Sequence, residues 1–586
     1  MVRSMEALSR GLGTLLILAA ISGSAFSQQA EIPASNREAD ADYQEARLQW
    51  IRQMHRAEPG VNTDVIDAES RDAKFRAAEY LRSRKGHLPL GITSDTLAGG
   101  NLIGKWSERG SNNISGRMIT ADIDFDNNTI YAASAMGNIW KADLGNSSSW
   151  RSLNDTKRLG GVQMLRTVTT SKGKRLIAAC NGPTAVYTSD DDGLTWQTAS
   201  GLDGPKSWGG FRRAVMDAKQ QNIYLFGNEW NYDAADWRAV STLYRSTDQG
   251  KTFKNLGKWR DNTDQCDIWV SRDTISPVFF LRSDSLYTIG AGGAISFLHR
   301  MNFTDSIGKI GSLILQGAIA KKTVNLAVLE TTSGVGTITA SSDGGLNWKK
   351  TGKFMGSPFS INSFKISQVD PQTMAIGTIE TFISRSGGDS ASWQHTNGWG
   401  EYYGNMAERL HADIDGIDFI RDPLGNEACF VSTDGGLFSS QDGMNTFNNL
   451  TLNGIGTGQF YSTLTSSQPP YYIYAGSQDQ GYQRGQDTIA GTIGMTQTIS
   501  GDYGHLSSSN RGKSVWCDYP GFAMLYTNAE GGGRNPGWDF RGKNHLWLPP
   551  MISDPLDSSA AYIACGGDAD ESFIWHIKNV HLKDRD

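Results

Sequence analysis

Ser189-Asp-Asp-Asp-Gly-Leu-Thr-Trp196, Ser246-Thr-Asp-Gln-Gly-Lys-Thr-Phe253 and Ser341-Ser-Asp-Gly-Gly-Leu-Asn-Trp348 are three copies of one turn. Each places Ser, Asp, Gly and a large aromatic ring at the same relative positions. The spacing has a structural cause. Gly193, Gly250 and Gly345 supply a backbone conformation that side chains disfavour. Asp191, Asp248 and Asp343 can accept hydrogen bonds from turn N–H groups, and Ser or Thr hydroxyls add to them. Trp196, Phe253 and Trp348 then bury a large apolar area between neighbouring sheets. These boxes read as fold elements and not as catalytic groups. Asp190-Asp-Asp-Gly193 lacks the alternating acidic positions of a calcium loop, so it too reads as a plain turn.

Looser copies surround the three. Asp143-Leu-Gly145 leads to Trp150, Ser386-Gly-Gly-Asp389 to Trp393, and Ser440-Gln-Asp442-Gly443 to Phe447. Asp143, Asp191, Asp248, Asp343 and Asp442 follow one another at about 50 residues or twice that. The stretch Leu286-Tyr-Thr-Ile-Gly-Ala-Gly-Gly293 fills one double gap, having kept its strand and lost its Asp. Strand-then-glycine runs recur at Tyr472–Gly476, Met524–Thr527 and Ala561–Gly566, which makes ten units. A period near 50 with four short strands per unit predicts an all-β chain, a β-propeller of about ten blade-type repeats. Ten units suit one ten-bladed ring, or a seven-bladed ring plus part of a second. Asp370-Pro371, Asp422-Pro423 and Asp554-Pro555 read as tight turns between blades.

Composition agrees. The chain has 586 residues, too many for a single ordinary core, with 67 Gly and 17 Trp. A formal net charge of −6 offers no basic face for nucleic acid. Residues 1–27 read as a secretory signal peptide: Arg3 and Arg10, an apolar run from Leu12 to Ala20, and small residues at Ala25-Phe26-Ser27. That run is shorter than the ~20 residues a membrane span needs, and no later segment approaches it. Residues 28–98 read as a helical N-terminal segment, with Tyr43, Arg47, Trp50, Ile51 and Met54 at helical spacing and a second stretch over Ser70–Arg84. Residues 99–586 are the propeller. Five widely spaced cysteines make no disulfide framework and no zinc site; those in apolar runs read as small core residues.

Three motifs in one order carry a resemblance: Asn113-Ile-Ser-Gly-Arg117 after Trp106, then His411-Ala-Asp-Ile-Asp415 leading to Ser432-Thr-Asp-Gly-Gly-Leu-Phe438, then Gly476-Ser-Gln-Asp-Gln-Gly481. Over about residues 100–570 the chain resembles exported bacterial sortilin-like, Asp-box (BNR-type) propeller proteins, many from the Bacteroidota. The resemblance implies export from a Gram-negative cell to the surface or medium, and often a C-terminal sorting domain. None stands between Phe573–Ile577 and Asp586, so the array reads as one that could continue. Two relatives of the architecture are enzymes. The sialidase Arg-Ile-Pro start is absent, Phe211-Arg-Arg213 being the nearest stretch. Two-propeller xyloglucan-degrading endoglucanases set an Asp from each propeller on a shared cleft, the first in a Thr-Asp-x-Gly-Gly turn of the opening blade. Ala133-Ser-Ala-Met-Gly137 at that place has no carboxylate.

The candidate site residues follow. Asp434, in Thr433-Asp-Gly-Gly436, is the one catalytic candidate, for the glycoside hydrolase alternative alone, because such hydrolysis needs a carboxylate pair. His411, Asp413 and Asp415 would share a face if they lie on a strand, where they could hold a divalent cation or position a proton; the plainer alternative is a hydrogen-bonded cluster tethering two blades. No other cofactor is expected. Trp230, Tyr232, Trp399, Tyr402, Tyr403 and Trp538 lie in Asn- and aromatic-rich loops suited to stacking on sugars or gripping a peptide. The favoured expectation is a secreted or cell-surface propeller that binds extracellular carbohydrate or protein without chemistry of its own.

Overall fold

The computed structural model describes residues 41–54, 66, the backbone of 92–97 and 102–106, and 107–578 except 147, 155–158, 181–185, 203–210, 220–221, 230–239, 304–309, 489–490, 529–535, 541–544 and 567–572. The expected signal peptide and the second helical stretch lie outside these residues. Helix Ala41–Met54 carries the five residues expected at helical spacing. Ile92–Leu97 is not helical: it is a strand paired antiparallel with Leu102–Ser107, as its Ile and Thr residues favour.

Among the described residues from Met118 onward, nine four-stranded antiparallel sheets and a tenth of three strands follow in chain order. The chain is a β-propeller. Blade 1 consists of Met118–Asp124, Thr129–Ser134, Ile139–Asp143 and Arg151–Ser152. Blades 2 to 7 begin with Val162–Thr170, Phe211–Met216, Cys266–Trp269, Ser312–Ala320, Phe364–Ile366 and Ile414–Arg421, and blades 8 to 10 with Phe460–Thr465, Leu506–Ser507 and Met551–Ser553. First strands of successive blades are neighbours, so they form the inner wall.

The count of ten resolves into a closed ring of seven and a run of three. Each interface in the ring has its own apolar core. Tyr131 and Ile139 of blade 1 meet Leu165 and Leu176 of blade 2, and the series continues to Ala375 and Ile383 of blade 6 against Ile417 and Val431 of blade 7. The seventh core closes the circle: Ile420, Phe430 and Leu437 of blade 7 bury Met118, Ile130 and Trp140 of blade 1. Blades 8, 9 and 10 share two further cores. The flank of blade 8 away from blade 9 is covered by Ile114, which packs on Ala475, Ile493 and Met495.

The repeated turns form one network four times. Ser189, Ser246, Ser341 and Ser440 donate to Asp191, Asp248, Asp343 and Asp442 at 2.7–2.9 Å. The same hydroxyls accept from the N–H of Gly193, Gly250, Gly345 and Met444. Each Asp also accepts from the backbone N–H four residues on. Trp196, Phe253, Trp348 and Phe447 enter the core shared with the preceding blade, and Trp150 does so at the closing interface. Blade 4 lacks the carboxylate, and Gly293 N–H closes its turn on Gly290 O.

Hydrogen bonds from Asn347 and Ser341 hold the Asp343 carboxyl down at about 2, and those from Thr446 and Ser440 do the same for Asp442. The unfolded value is about 3.9. Since the folded value is the lower one, the stability gained is complete above pH ~4 and is lost as pH falls toward 2. An Asp343→Asn, Asp442→Asn double variant is expected to show a flatter melting temperature between pH ~4 and ~2, measured by circular dichroism.

The Asp-Pro pairs do not join blades. Asp370-Pro371, Asp422-Pro423 and Asp554-Pro555 each follow a first strand and turn into the second strand of the same blade. There Asp422 accepts from the N–H of Leu424 and Asn426, the local bonding that favours Asp in a turn. Cys266, Cys429 and Cys517 are buried free thiols, and Cys180 is buried as well. Among the described residues, no helix is long and apolar enough to cross a membrane.

Candidate functional site

The chemistry-bearing groups converge where blade 7 meets blade 1 and blade 8. The segment leading into blade 1 builds the junction first. Asn113 donates to Met495 O at 2.9 Å and accepts from Met495 N–H at 2.7 Å. Gly116 N–H reaches Thr457 Oγ1 at 2.9 Å. The next residue, Arg117, is thereby aimed at three carboxylates. Its Nε and Nη2 engage both oxygens of Asp434. Nη2 also lies 3.4 Å from Asp479 of blade 8, and Nε lies 3.7 Å from Asp415. One guanidinium therefore clamps the second-to-third strand turns of blades 7 and 8, Asp434 and Asp479, to the approach to blade 1.

Each turn is shaped for this. Gly435 lets the His411 ring lie over the turn, since a Cβ there would come within 2.5 Å of His411 Cβ. Gly481 has φ +68°, and a Cβ would fall 1.6 Å from Ile499 O. Gln480 of the same turn donates to Asp434 O at 3.3 Å. Asp479 N–H meets Asp502 Oδ1, which Tyr461 also contacts.

The electrostatics separate the two carboxyls of blade 7. Burial by itself would raise Asp434, but the Arg117 guanidinium overrides it and holds the group below the usual carboxylate range. Asp415 is pushed well up by burial and by the Asp434 charge, so the two neighbouring carboxyls are driven apart. His411 is pulled down by burial. Its Nδ1–H donates to Ala412 O at 3.0 Å and its Nε2 accepts from Tyr403 Oη at 3.3 Å, a neutral ring with both nitrogens used.

These contacts correct the reading of His411, Asp413 and Asp415 as one strand face. The strand begins at Ile414, and Asp413 has φ +61°, which breaks the two-residue alternation. Asp415 turns to Arg117 while His411 turns to Tyr403. Among the described residues, no group of three His, Cys, Asp or Glu side chains is placed to hold a metal.

Beside this cluster, the connection from blade 6 to blade 7 forms a short 3-10 helix, Trp399–Gly404. Tyr402 is fully buried, edge-on to His411 at 4.6 Å, so it cannot stack on a ligand. Trp399 and Tyr403 are half-buried and meet edge-to-face at 6.0 Å. They offer partly open rings, that of Tyr403 in contact with His411. Trp538 instead packs on Trp575 and Phe540 at the outer strand of blade 9. Trp230 and Tyr232 lie outside the described residues. Arg117 was the functional residue that sequence reasoning left out of the site, although Asn113-Ile-Ser-Gly-Arg117 had marked it. Of the other signals, Arg213 pairs with Asp267 inside the ring at 2.9 Å, a structural role, and His395 meets Glu380 at 2.8 Å.

No family model matches the chain, and no curated protein matches its sequence. Solved structures do. The crystal structure of the Niastella koreensis GH74 enzyme superimposes with a TM-score of 0.52 at 14% identity, covering 81% of this chain and 72% of that one. An ancestral GH74 enzyme gives 0.47 at 9% identity over 80% of this chain and 75% of its own. An oligogalacturonate lyase in complex with manganese gives 0.35 at 11% identity, over 59% of this chain and 96% of its own. At such identities the likeness establishes the fold: this chain shares the β-propeller architecture of the Niastella koreensis GH74 enzyme.

Proposed function

We propose that this protein is a secreted or cell-surface propeller that binds carbohydrate on the loop around Trp399 and Tyr403. The observation that carries the reading is the state of Asp434. Its side chain has no exposed surface, and both oxygens are taken by Arg117. A carboxylate so enclosed can neither attack a sugar nor activate a water, whereas the half-open rings of Trp399 and Tyr403 can stack on one. The fold shared with a GH74 enzyme favours a glycan over a peptide as the ligand. Trp399→Ala is expected to weaken binding to soluble xyloglucan or another β-glucan by about tenfold or more, read by isothermal titration. Failure of every glucan tested to bind the wild type would remove the proposal.

One observation favours a glycoside hydrolase as the second reading. Burial pushes the Asp415 carboxyl up while Arg117 holds that of Asp434 down, the kind of divergence that separates an acid from a base. Reducing-sugar release from β-glucans that Asp434→Asn abolishes, in a variant that still melts cooperatively, would favour this reading over the first.

A further inference from the structure

We propose that residues 270–277 of blade 4 form a latch across the bore, which keeps the ring shut at the seam between blades 7 and 1. Neighbouring blades elsewhere in the ring follow one another along the chain. Blade 7 instead runs on to blade 8, and blade 1 is entered from the N-terminal side. Whatever restrains the seam must therefore act through space.

The connection from first to second strand is residues 321–322 in blade 5 and 422–426 in blade 7, but residues 270–277 in blade 4. The longer segment is braced from within. Buried Ser271 donates its N–H to Ser276 Oγ at 3.0 Å, and its hydroxyl accepts from Thr274 N–H at 3.1 Å. So braced, the segment carries Arg272 and Thr274 to the far wall. Arg272 Nη2 pairs with Asp122 of blade 1. Arg421 Nη2, at the end of the first strand of blade 7, donates to Thr274 Oγ1 at 3.2 Å. Blade 4 stands opposite the seam, as far round the ring from blade 1 as from blade 7. The two contacts thus span the bore and end on the two sides of the seam.

The Asp122 end is firmly held. Its side chain is buried, and Oδ2 accepts from Thr167 N–H at 2.6 Å and Thr167 Oγ1 at 3.1 Å in blade 2. Oδ1 is left to Arg272, whose Nε also lies 3.9 Å from Asp273 Oδ1. Charge-assisted bonds of this kind are strong, and a buried carboxylate is poorly screened by solvent. Ile275 and Pro277 are exposed, so the segment is held by its polar contacts and not by burying its own apolar side chains. Releasing those contacts frees blades 1 and 7 from the wall opposite and lets the seam open more often.

The test is the labelling rate of a thiol placed in the seam. Ala132→Cys puts one at a fully buried position among Met118, Ile130 and Leu437. Native Cys266 and Cys429 lie in the cores between blades 3 and 4 and between blades 6 and 7, and serve as internal references. N-ethylmaleimide reaches such thiols when the packing around them opens. In the Ala132→Cys chain, Arg272→Ala with Thr274→Val is expected to speed labelling at the seam by about tenfold or more, as the loss of a hydrogen bond to a charged group implies. Cys266 and Cys429 should keep their parent rates, resolved by peptide mass spectrometry. If that combination fails to fold, Thr274→Val alone must speed the seam by about threefold. An unchanged seam rate in the folded variant would overturn the proposal. Equal acceleration of all three thiols would also overturn it, since a general loss of stability acts on every core alike.

Discussion

Arg117→Ala is expected to lower the stability of the chain by about 3–5 kcal/mol, the scale of removing one partner from a buried ion pair. The reason is what remains behind. Asp434 would keep its burial and lose both of its charge-assisted bonds, with Asp415 and Asp479 still close by. The carboxyl would then take up a proton, so its depressed value would turn into a raised one. The loss should therefore be largest at neutral pH and shrink toward pH 4, where a proton becomes easier to acquire. Urea unfolding at pH 7 and pH 4.5 measures both. An Arg117→Ala, Asp434→Asn double variant should recover much of the loss at pH 7, since the stranded charge is gone. A loss below about 1 kcal/mol at pH 7 would mean that the cluster is solvated and does not clamp the blades.

The second large effect is expected at Trp196. Its indole is buried in the core between blades 1 and 2 and donates to Gly193 O at 3.1 Å. Trp196→Ala removes the apolar surface that joins two sheets and opens a cavity, at a cost of about 3–5 kcal/mol. Leu194 of the same turn is mostly exposed. Leu194→Ala is the control and should stay within about 0.5 kcal/mol of the parent. Thermal melts of both variants separate the role of the ring from that of the turn. Equal small shifts would mean that the turn, held by Asp191 and Ser189, specifies the blade without its aromatic plug.

The fold was readable because its repeating unit is local. Ser, Asp, Gly and Trp within eight residues contact one another directly, so the pattern in the chain is the pattern in space. Ring closure was not readable in that way. It depends on Ile420, Phe430 and Leu437 meeting Met118 and Ile130, and nothing in these residues differs in kind from the other interblade cores. The site was legible in part. His411, Asp415 and Asp434 were flagged as chemistry-bearing residues, and they do lie together. Their grouping was misjudged because the strand rule assumes extended backbone, and Asp413 leaves it through a positive φ. Arg117 was passed over since its closest-bound partner, Asp434, lies 317 positions away along the chain. Tyr402 and Trp538 show the limit of reading ligand contacts from aromatic loops, because the same rings serve equally well as cement between elements.

Among the described residues, every sheet in the ring is made from consecutive strands, with none borrowed from the far end to fasten the last blade to the first. The joint between blades 7 and 1 is thus held by apolar side chains, the Trp150 indole donating to Leu450 O at 2.7 Å, the Gly454 N–H donating to Asn112 O at 2.8 Å and the Arg117 clasp. Under tension, such a ring can part at this seam without breaking a single strand-to-strand ladder. The opened arc would keep its sheets intact and could snap shut again once its apolar edges met.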